Sequence, residues 1–449
     1  MGVTPQTYLE NKMAKYQFHI SNYHAIKHAN LILGGLTVVA GVNGCGKSTI
    51  SRWLYYIVNG LSSLEALLFA DFRDKVIESF DKLSVLVDDL SRYVEGDQLK
   101  NYRNRLALIS SLTLEKGGDE KISAYFENLV GLLAEMLSAF LQKEVNPNYV
   151  DRVLKALGLS DAEHAPENLK QTFLEAYAEN RIRFEQFRKQ RPMHCLVKEI
   201  NAIYKEQDSF PMNIGFKEEN VELMTENLGK IYGLNQAIYM GTPTAISLRQ
   251  SDRIMLKSLA NKILWTTDKS FPSQNVEPLI QLIEKMIGGS VVEKDDLGII
   301  NLTYKTNTGL DIKLEDVASG YKPLAYILRL VKNGWLKENT LLEIDEPETN
   351  LHPSWVVEFA HLLVMIHKNL GTKILITSHH PDMVSAIRYI SEKEGLLENT
   401  NFYLAEPVDD SNMYEYKDLK CDIDPVFESF NKSFDMLQKY AENFPTDLI

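Results

Sequence analysis

Residues 41–49 combine three glycines with Lys47, Ser48 and Thr49 in the order that a phosphate-binding loop requires. Glycines let backbone N–H groups turn inward around a polyphosphate at a helix N-terminus, where the helix dipole favours negative charge. Lys47 would neutralise the β- and γ-phosphates, and the Ser48 hydroxyl would bind Mg²⁺. The sequence therefore predicts a P-loop that binds a nucleoside triphosphate. The predicted contacts are Asn43, Gly44, Cys45, Gly46, Lys47, Ser48 and Thr49.

Two carboxylates and a histidine follow apolar segments much later in the chain. Asp345 is predicted to hold Mg²⁺, usually through water, because it ends one of these segments. Glu346 is the candidate general base that polarises the attacking water. His379 directly follows the other segment and is predicted to hydrogen-bond the γ-phosphate or that water, with His380 as the alternative. Lys47, Glu346 and His379 are thus the predicted catalytic residues.

The periodicity of apolar residues predicts the elements that position these side chains. Residues from about 61 to about 205 lack strand signals and have helical spacing. Glu343 lies in the predicted strand that precedes Asp345 and Glu346, and it is given no role. The predicted strands are 16–20, 29–33, 36–40, 237–240, 298–304, 310–314, 340–344 and 373–377, with a hairpin turn at 307–309. The predicted helices are 50–58, 69–94, 324–335 and 354–370.

The composition indicates a folded, cytoplasmic protein. Of the 449 residues, 45% are hydrophobic and 24% are charged, which is ordinary for a globular chain of two or three domains. No apolar run of about 18 residues is evident, so no transmembrane helix is predicted. Three cysteines without a CxxC pair indicate a reduced compartment and no structural zinc site, and Cys45 is interpreted as a small filler in the loop.

The charge distribution bears on nucleic-acid binding. The net charge of −13 argues against a protein that coats long stretches of DNA, although it does not exclude a local basic patch. The segment 181–191 concentrates five cations and two aromatic residues, which would suit a phosphate backbone or an acidic partner. A solvated helical face is the alternative interpretation. The five cations are Arg181, Arg183, Arg188, Lys189 and Arg191.

A further serine begins an apolar helix upstream of the carboxylates. Ser319 suits an N-cap and Pro323 suits the first helical turn. The P-loop, this Ser319-Gly320 start, the Asp-Glu pair and the strand-end histidine, in this order, resemble the ABC/SMC-like ATPase superfamily. The resemblance implies an α/β fold: an ABC-type P-loop ATPase head with a mixed sheet, flanking helices, an N-terminal antiparallel part and a large, mainly helical insertion.

The resemblance also implies domain limits and site residues. Residues 14–60 and 236–405 would form the ATPase domain, 61–235 the helical insertion or lid, and 406–449 a C-terminal hairpin and helix. Ser319 and Gly320 would be the signature motif that reaches the γ-phosphate of a second subunit, and Asn350 would belong to the D-loop.

Two details depart from the pattern of the superfamily. Tyr321 stands where a second signature glycine is common, and the neighbouring Lys322 would add a cation to the contact. The glutamine that usually binds Mg²⁺ after the P-loop is not placed, because the candidates lie in helical-looking sequence. These candidates are Gln142, Gln171 and Gln186.

Residues 345–353, Asp-Glu-Pro-Glu-Thr-Asn-Leu-His-Pro, resemble the subgroup of OLD-type and RecF-like ATPases. About seventy residues follow His380, too few for the TOPRIM nuclease domain of OLD-type proteins. The chain is therefore similar to the ATPase subunits of PARIS or Septu anti-phage systems, in which a separate TOPRIM or HNH-type nuclease is the effector. This resemblance implies ATP-sandwich dimers that act as sensor and scaffold. The alternative is a RecF-like repair ATPase that binds DNA through the cations of 181–191.

Overall fold

The computed structural model describes residues 15–81, 83, 87–88, 90–93, 96–204, 210–241, 254–266, 276–296, 299–408, 411–428 and 439. The chain divides into two compact units. The first, which we call the sheet unit, comprises residues 1–62, 197–225 and 229–449. The second, the helical unit, comprises residues 63–196 and 226–228. Both units are therefore built from segments that are not contiguous in sequence.

The described strands form two sheets. They are β1 (Tyr16–Tyr23), β2 (Ile26–Leu33), β3 (Leu36–Ala40), β4 (Asn213–Glu218), β5 (Val221–Glu222), β6 (Gln236–Met240), β7 (Gly289–Asp296), β8 (Ile299–Thr306), β9 (Asp311–Lys313), β10 (Thr340–Asp345), β11 (Lys373–Ser378), β12 (Thr400–Pro407) and β13 (Tyr414–Lys420). The larger sheet has the order β5-β4-β1-β2-β13-β12-β3-β11-β10-β6, and the smaller has the order β7-β8-β9.

The centre of the larger sheet is parallel and its N-terminal part is antiparallel. β12, β3, β11, β10 and β6 run parallel as neighbours, whereas β1 pairs antiparallel with β2 and β4. β3, β10 and β11 are buried at every position, as expected for parallel strands covered on both faces. Since the three strands are adjacent and parallel, their carboxyl ends bring the P-loop, Asp345 and His379 to one edge.

The described helices are α1 (Lys47–Asp81), α2 (Gly96–Ser110), α3 (Gly118–Leu141), α4 (Pro147–Ala156), α5 (Ala165–Gln190), α6 (Met193–Tyr204), α7 (Ile254–Leu264), α8 (Glu277–Ile287), α9 (Lys322–Lys332), α10 (Pro353–Leu370) and α11 (Pro381–Lys393). In the sheet unit, α9 is buried from Pro323 to Val331 and α10 buries Val356 to His367 at most positions. These two helices therefore form the centre of the apolar core beside β3, β10 and β11.

Aromatic side chains form the core of the helical unit. Phe72 of α1 stacks on Phe184 of α5 with ring centroids 5.1 Å apart. Phe126 of α3 stacks on Tyr177 of α5 at 4.4 Å. Such pairs stabilise a core beyond the area that they bury. The apolar seam that begins near residue 69 is thus the inner face of this unit.

The predicted α/β class, with a mixed sheet and antiparallel N-terminal strands, is confirmed. The structure corrects the long helix predicted at 69–94, because α1 runs without a break from Lys47 to Asp81 and residues 91–93 form a separate 3₁₀ turn. Residues 82, 84–86, 89 and 94–95 of that prediction lie outside the described part. The helix after the P-loop and the apolar seam are therefore one element up to Asp81.

The units do not follow the predicted insertion of 61–235. β4 and β5 lie within it, yet β4 pairs with β1 in the larger sheet. The helical unit therefore ends at residue 196 apart from 226–228. At the C-terminus, the hairpin is observed as β12 and β13, and residues 424–428 are helical. The rest of the predicted C-terminal helix lies outside the described residues.

Two described helices, α1 and α3, are long and apolar enough to cross a membrane by length and composition alone, unlike the sequence-based expectation. Within the fold, 61% of the apolar window of α1 and 44% of that of α3 are buried. Core helices of soluble proteins meet the same criteria, and α1 carries the P-loop lysine in its first turn. Length and composition therefore do not by themselves indicate a membrane span here.

Candidate active site

The loop between β3 and α1 has the backbone conformation of a phosphate cradle. Gly44 and Gly46 have φ angles of 82° and 99°, a region that favours glycine. A Cβ atom at Gly46 would lie 2.7 Å from the Ile26 side chain. The loop ends at Lys47, the first residue of α1, so the N-terminus of a long helix points into the loop.

The side chain of Lys47 bends back toward the loop that precedes it. The residue is only 5% exposed, and its Nζ donates hydrogen bonds to the carbonyl oxygens of Gly41 (2.7 Å) and Val42 (2.9 Å). The ammonium therefore stays at the centre of the loop, where its hydrogen-bond acceptors are neutral carbonyl oxygens.

An open cavity of about 550 Å³ lies above this loop. It is lined by His24, Ala25, Asn43, Gly44, Gly46, Lys47, Ser48, Thr49 and Glu346. The fold thus brings the predicted phosphate loop together with the predicted general base. In the described structure, Ser319, Gly320, Lys322 and Asn350 are not among the lining residues.

Both carboxylate oxygens of Asp345 accept hydrogen bonds from neighbouring strands. The Thr377 hydroxyl of β11 donates to Oδ1, and the Tyr239 hydroxyl of β6 donates to Oδ2 at 3.2 Å. Burial and the charge of Asp345 raise the pKa of Tyr239, which keeps this hydroxyl a donor. The buried Asp345 is therefore fixed in orientation at the end of β10.

Glu346 has an unusual backbone and stands beside the histidine. Its φ of 52° lies in the left-handed region, which costs a non-glycine residue about 1–3 kcal/mol. Its N–H donates to the Thr377 carbonyl oxygen at 2.9 Å, which stabilises this conformation. Its Oε1 lies 3.4 Å from Nδ1 of His379. The strained residue therefore directs its carboxylate toward the cavity and the histidine.

His380, the alternative to His379, is a helix-capping residue. Its Nδ1 accepts a hydrogen bond from the Asp382 N–H at 3.3 Å and so caps α11. His379 is the histidine that approaches Glu346.

Two further buried acids were not assigned from the sequence. Glu348 accepts hydrogen bonds from the Ser378 hydroxyl (2.8 Å) and the His379 N–H (2.9 Å), and burial raises its pKa. Glu343 lies on the same face of β10 as Asp345, as strand alternation requires, and is fully buried. Burial, and then the charge of Asp345, raise the pKa of Glu343 well above its usual range. Their positions, two residues before and three residues after Asp345, are the signal in the sequence that could have identified them.

A tyrosine from the C-terminal hairpin supports the P-loop. The buried Tyr416 hydroxyl of β13 donates to the Cys45 carbonyl oxygen at 2.8 Å. Cys45 is itself fully buried, in agreement with its interpretation as a filler. A separation of 371 residues in sequence hides this contact from motif analysis.

Residues 319–322, the predicted signature segment, differ from their prediction in detail. Ser319 lies in a 3₁₀ turn, and the N-cap of α9 is Tyr321, so the predicted Ser319 cap is wrong. The 3₁₀ turn of Ser319–Tyr321 leads directly into α9, which begins at Lys322 and has Pro323 in its first turn. Gly320 lies against Asn350, since a Cβ there would be 3.0 Å from the Asn350 carbonyl oxygen.

The two residues after Gly320 are held by their own chain. The Tyr321 ring packs on Trp355 with centroids 5.0 Å apart. Lys322 Nζ donates to the Glu315 carbonyl oxygen at 2.8 Å. Residues 320–322 therefore pack against their own chain, and the Lys322 ammonium is hydrogen-bonded there.

The cations of 181–191 lie on α5 and just after it, and three of them have acidic neighbours in the helical unit. Arg181 pairs with an acid one turn along α5 at 2.9 Å. Arg188 contacts Glu65 (3.6 Å) and Asp119 (3.5 Å), and Arg191 approaches Glu65 at 3.8 Å. Acidic neighbours offset the attraction of these arginines for a phosphate backbone.

The Mg²⁺-binding glutamine stays unassigned. Gln171 and Gln186 lie on α5, and Gln142 is the C-cap of α3, so all three belong to the helical unit.

Comparison with known proteins finds a family model that matches the chain and solved structures that are similar to it. The model of the family described as AAA ATPase domain (AAA_15) matches residues 13–384. No curated protein matches the chain. Among solved structures, the chain is similar to the Smc head domain of Pyrococcus furiosus, crystallised with an extended coiled coil and the C-terminal domain of ScpA. That similarity has 12% identity and a TM-score of 0.32, covering 95% of this chain and 98% of the other. The chain is also similar to the ADP conformation of an ATP-binding cassette of an ABC transporter, with 11% identity, a TM-score of 0.32, and coverage of 93% and 98%.

Proposed function

The chain belongs to the AAA ATPase domain family, and we propose that it couples ATP binding and hydrolysis to its own assembly and thereby controls a separate effector protein. Membership of this family makes the chain an ATP-binding ATPase. The roles of individual residues, the assembly and the effector are our proposal.

The P-loop residues would hold the triphosphate. Incoming phosphate oxygens would replace the carbonyl oxygens of Gly41 and Val42 as partners of Lys47, since a charged acceptor forms the stronger hydrogen bond. The backbone N–H groups of Gly44 and Gly46 and the N-terminus of α1 would complete the anion site.

Ser48 and Asp345 fit a Mg²⁺ ion by the chemistry of their donors. A hydroxyl and a carboxylate supply the oxygen ligands that Mg²⁺ prefers. Because Thr377 and Tyr239 already donate to the Asp345 oxygens, a contact through water suits this residue better than a direct one. Mg²⁺, when bound, neutralises charge on the β- and γ-phosphates.

Glu346 and His379 would act on the attacking water and the γ-phosphate. Glu346 lines the cavity and would accept the proton of the water. His379 is partly exposed beside it and would donate a hydrogen bond to the phosphate.

The observation that carries the assembly proposal is the position of the signature segment. Gly320 lies beside Asn350, and neither Ser319 nor Gly320 is among the described residues that line the open cavity above the P-loop. The γ-phosphate side of the cavity would therefore be completed by Ser319 and Gly320 of a second copy, which makes the active form a homo-oligomer.

A mixing experiment tests this composite site. Ser319→Arg would block the contact that one copy makes with the other, and Lys47→Ala would remove triphosphate binding, so each variant alone should lack ATPase activity. In an equal mixture, half of the dimers would contain both variants and one intact site, which restores roughly a quarter of wild-type activity. The measurement is phosphate release.

Ser110→Arg, an exposed serine on α2, is the matched control and should retain full activity. Full activity of Ser319→Arg alone, or no recovery on mixing, would rule out the composite site.

The effector is proposed from the resemblance of residues 345–353 to OLD-type ATPases. We infer a cytoplasmic ATP-dependent sensor and scaffold of anti-phage defence that holds a TOPRIM or HNH-type nuclease until a trigger releases it. Co-purification of the product of an adjacent nuclease gene with the Glu346→Gln chain, and its loss in Lys47→Ala, would support this role.

DNA binding by a RecF-like ATPase is the competing hypothesis. Because Arg181, Arg188 and Arg191 have acidic neighbours, we expect no measurable binding of duplex DNA at about 50 mM salt by fluorescence anisotropy. Salt-dependent binding that disappears when Arg183, Arg188 and Arg191 are replaced by Ala would favour the RecF-like hypothesis instead.

A further inference from the structure

Glu348 connects the two loops that carry the proposed catalytic residues. Its Oε1 accepts hydrogen bonds from the Ser378 hydroxyl and the His379 N–H, at 2.8 and 2.9 Å. Ser378 ends β11, and Glu348 follows β10, the adjacent parallel strand. One carboxylate oxygen therefore links the ends of both strands.

The burial of Glu348 lowers the stability of the folded state. Its side chain is 2% exposed, and Oε2 has no hydrogen-bond partner among the described residues. A buried acid with an unpaired oxygen destabilises a protein, and an apolar side chain of similar size would be accommodated at a lower cost. A role beyond packing accounts for such a residue.

His379 lies between two carboxylates. Its Nδ1 is 3.4 Å from Oε1 of Glu346 and 3.3 Å from Oε1 of Glu348. Glu346 faces the ring, whereas Glu348 also accepts a hydrogen bond from the main-chain N–H of His379. The hydrogen bond to the His379 N–H fixes the backbone from which the His379 side chain extends. The two carboxylates on either side of the ring limit the rotation of that side chain.

We propose that Glu348 is a positioning residue for ATP hydrolysis, which fixes the turn after β11 and holds His379 beside Glu346. The proposal rests on the role of His379 at the γ-phosphate. Glu348 would act by the position of its acceptor oxygen and would not itself touch ATP.

Two substitutions separate acceptor position from charge. Glu348→Gln keeps an oxygen in the place of Oε1 without the charge, whereas Glu348→Asp keeps the charge and withdraws the oxygen. We expect Glu348→Asp to lower kcat by about 10- to 100-fold, since small displacements of catalytic groups have effects of this size. Glu348→Gln should lose less than about fivefold, and the KM for ATP should change little in both, because the P-loop is untouched.

Thermal unfolding shows whether both variants are folded, and Glu358→Ala, an exposed acid on α10, is the control that should match wild type. The proposal requires the Gln variant to be faster than the Asp variant, by at least about twofold. Equal rates or the reverse order would overturn it.

A double-mutant cycle distinguishes this proposal from the role of His379. In a His379→Ala background, Glu348→Asp should have almost no further effect on kcat, because its target is gone. Additive losses would overturn the positioning role and leave that of His379 intact. Wild-type kcat in His379→Ala would instead overturn the proposed role of His379 and, with it, the positioning proposal.

Discussion

Glu346→Gln is expected to lower kcat for ATP hydrolysis by about 10²- to 10⁴-fold while ATP still binds. The amide of glutamine cannot take a proton from water, but its size and shape match the carboxylate. The left-handed backbone of residue 346 is held by its N–H bond to Thr377, which the substitution preserves. The geometry of the cavity should therefore remain while the chemistry is lost.

The same variant should prolong the ATP-bound assembly. Single-turnover hydrolysis measures the chemical step, and size-exclusion chromatography with light scattering follows the oligomer over time after ATP addition. Glu358→Gln, an exposed acid on α10, controls for the loss of a charge. Wild-type hydrolysis by Glu346→Gln would show that another group is the general base.

Local patterns predicted the part of the site that is continuous in sequence. The P-loop is a strand, a glycine turn and a helix within about fifteen residues, so its glycines and Lys47 determine the structure locally. The strands that end at Asp345 and Ser378 are largely apolar along both faces, and this pattern is typical of the centre of a parallel sheet. Adjacent parallel strands then bring their ends together.

Contacts between distant segments were not predictable in this way. Tyr416 reaches the P-loop across 371 residues, and its role depends on the pairing of β13 with β12 and β2. β4 belongs to the larger sheet only through its pairing with β1. Neither pairing leaves a periodic signal in the sequence, because long-range partners are selected by packing and not by local propensity.

Glu348 shows the same limit within a motif. The sequence places it three residues after Asp345, but only the fold reveals that its oxygen faces Ser378 and His379. A carboxylate in a loop is ordinarily solvated, and burial of this one became evident only when β10 and β11 were adjacent.

Lys47→Ala is expected to abolish measurable ATP binding. A hydrogen bond to a charged group contributes about 1.5–3 kcal/mol, so losing the contacts of the ammonium with two phosphates should weaken affinity by a factor on the order of 10² or more. In wild type, ATP with Mg²⁺ should raise Tm because the ligand binds only the folded chain. The Lys47→Ala chain should show no such rise, and isothermal titration calorimetry should detect no heat of binding.

The Tm without nucleotide separates this loss from misfolding. Among the described residues, the Lys47 ammonium donates to the Gly41 and Val42 carbonyl oxygens of its own loop and to the Cys45 sulfur at 3.9 Å, so its removal should leave the strands and helices in place. Lys116→Ala, an exposed lysine of the helical unit, is the matched control and should retain the full ATP-dependent rise in Tm. An unchanged ATP affinity in Lys47→Ala would contradict the assignment of the loop. A normal Tm without nucleotide, together with a lost response to ATP, would identify Lys47 as a binding residue whose buried ammonium is kept for phosphate rather than for stability.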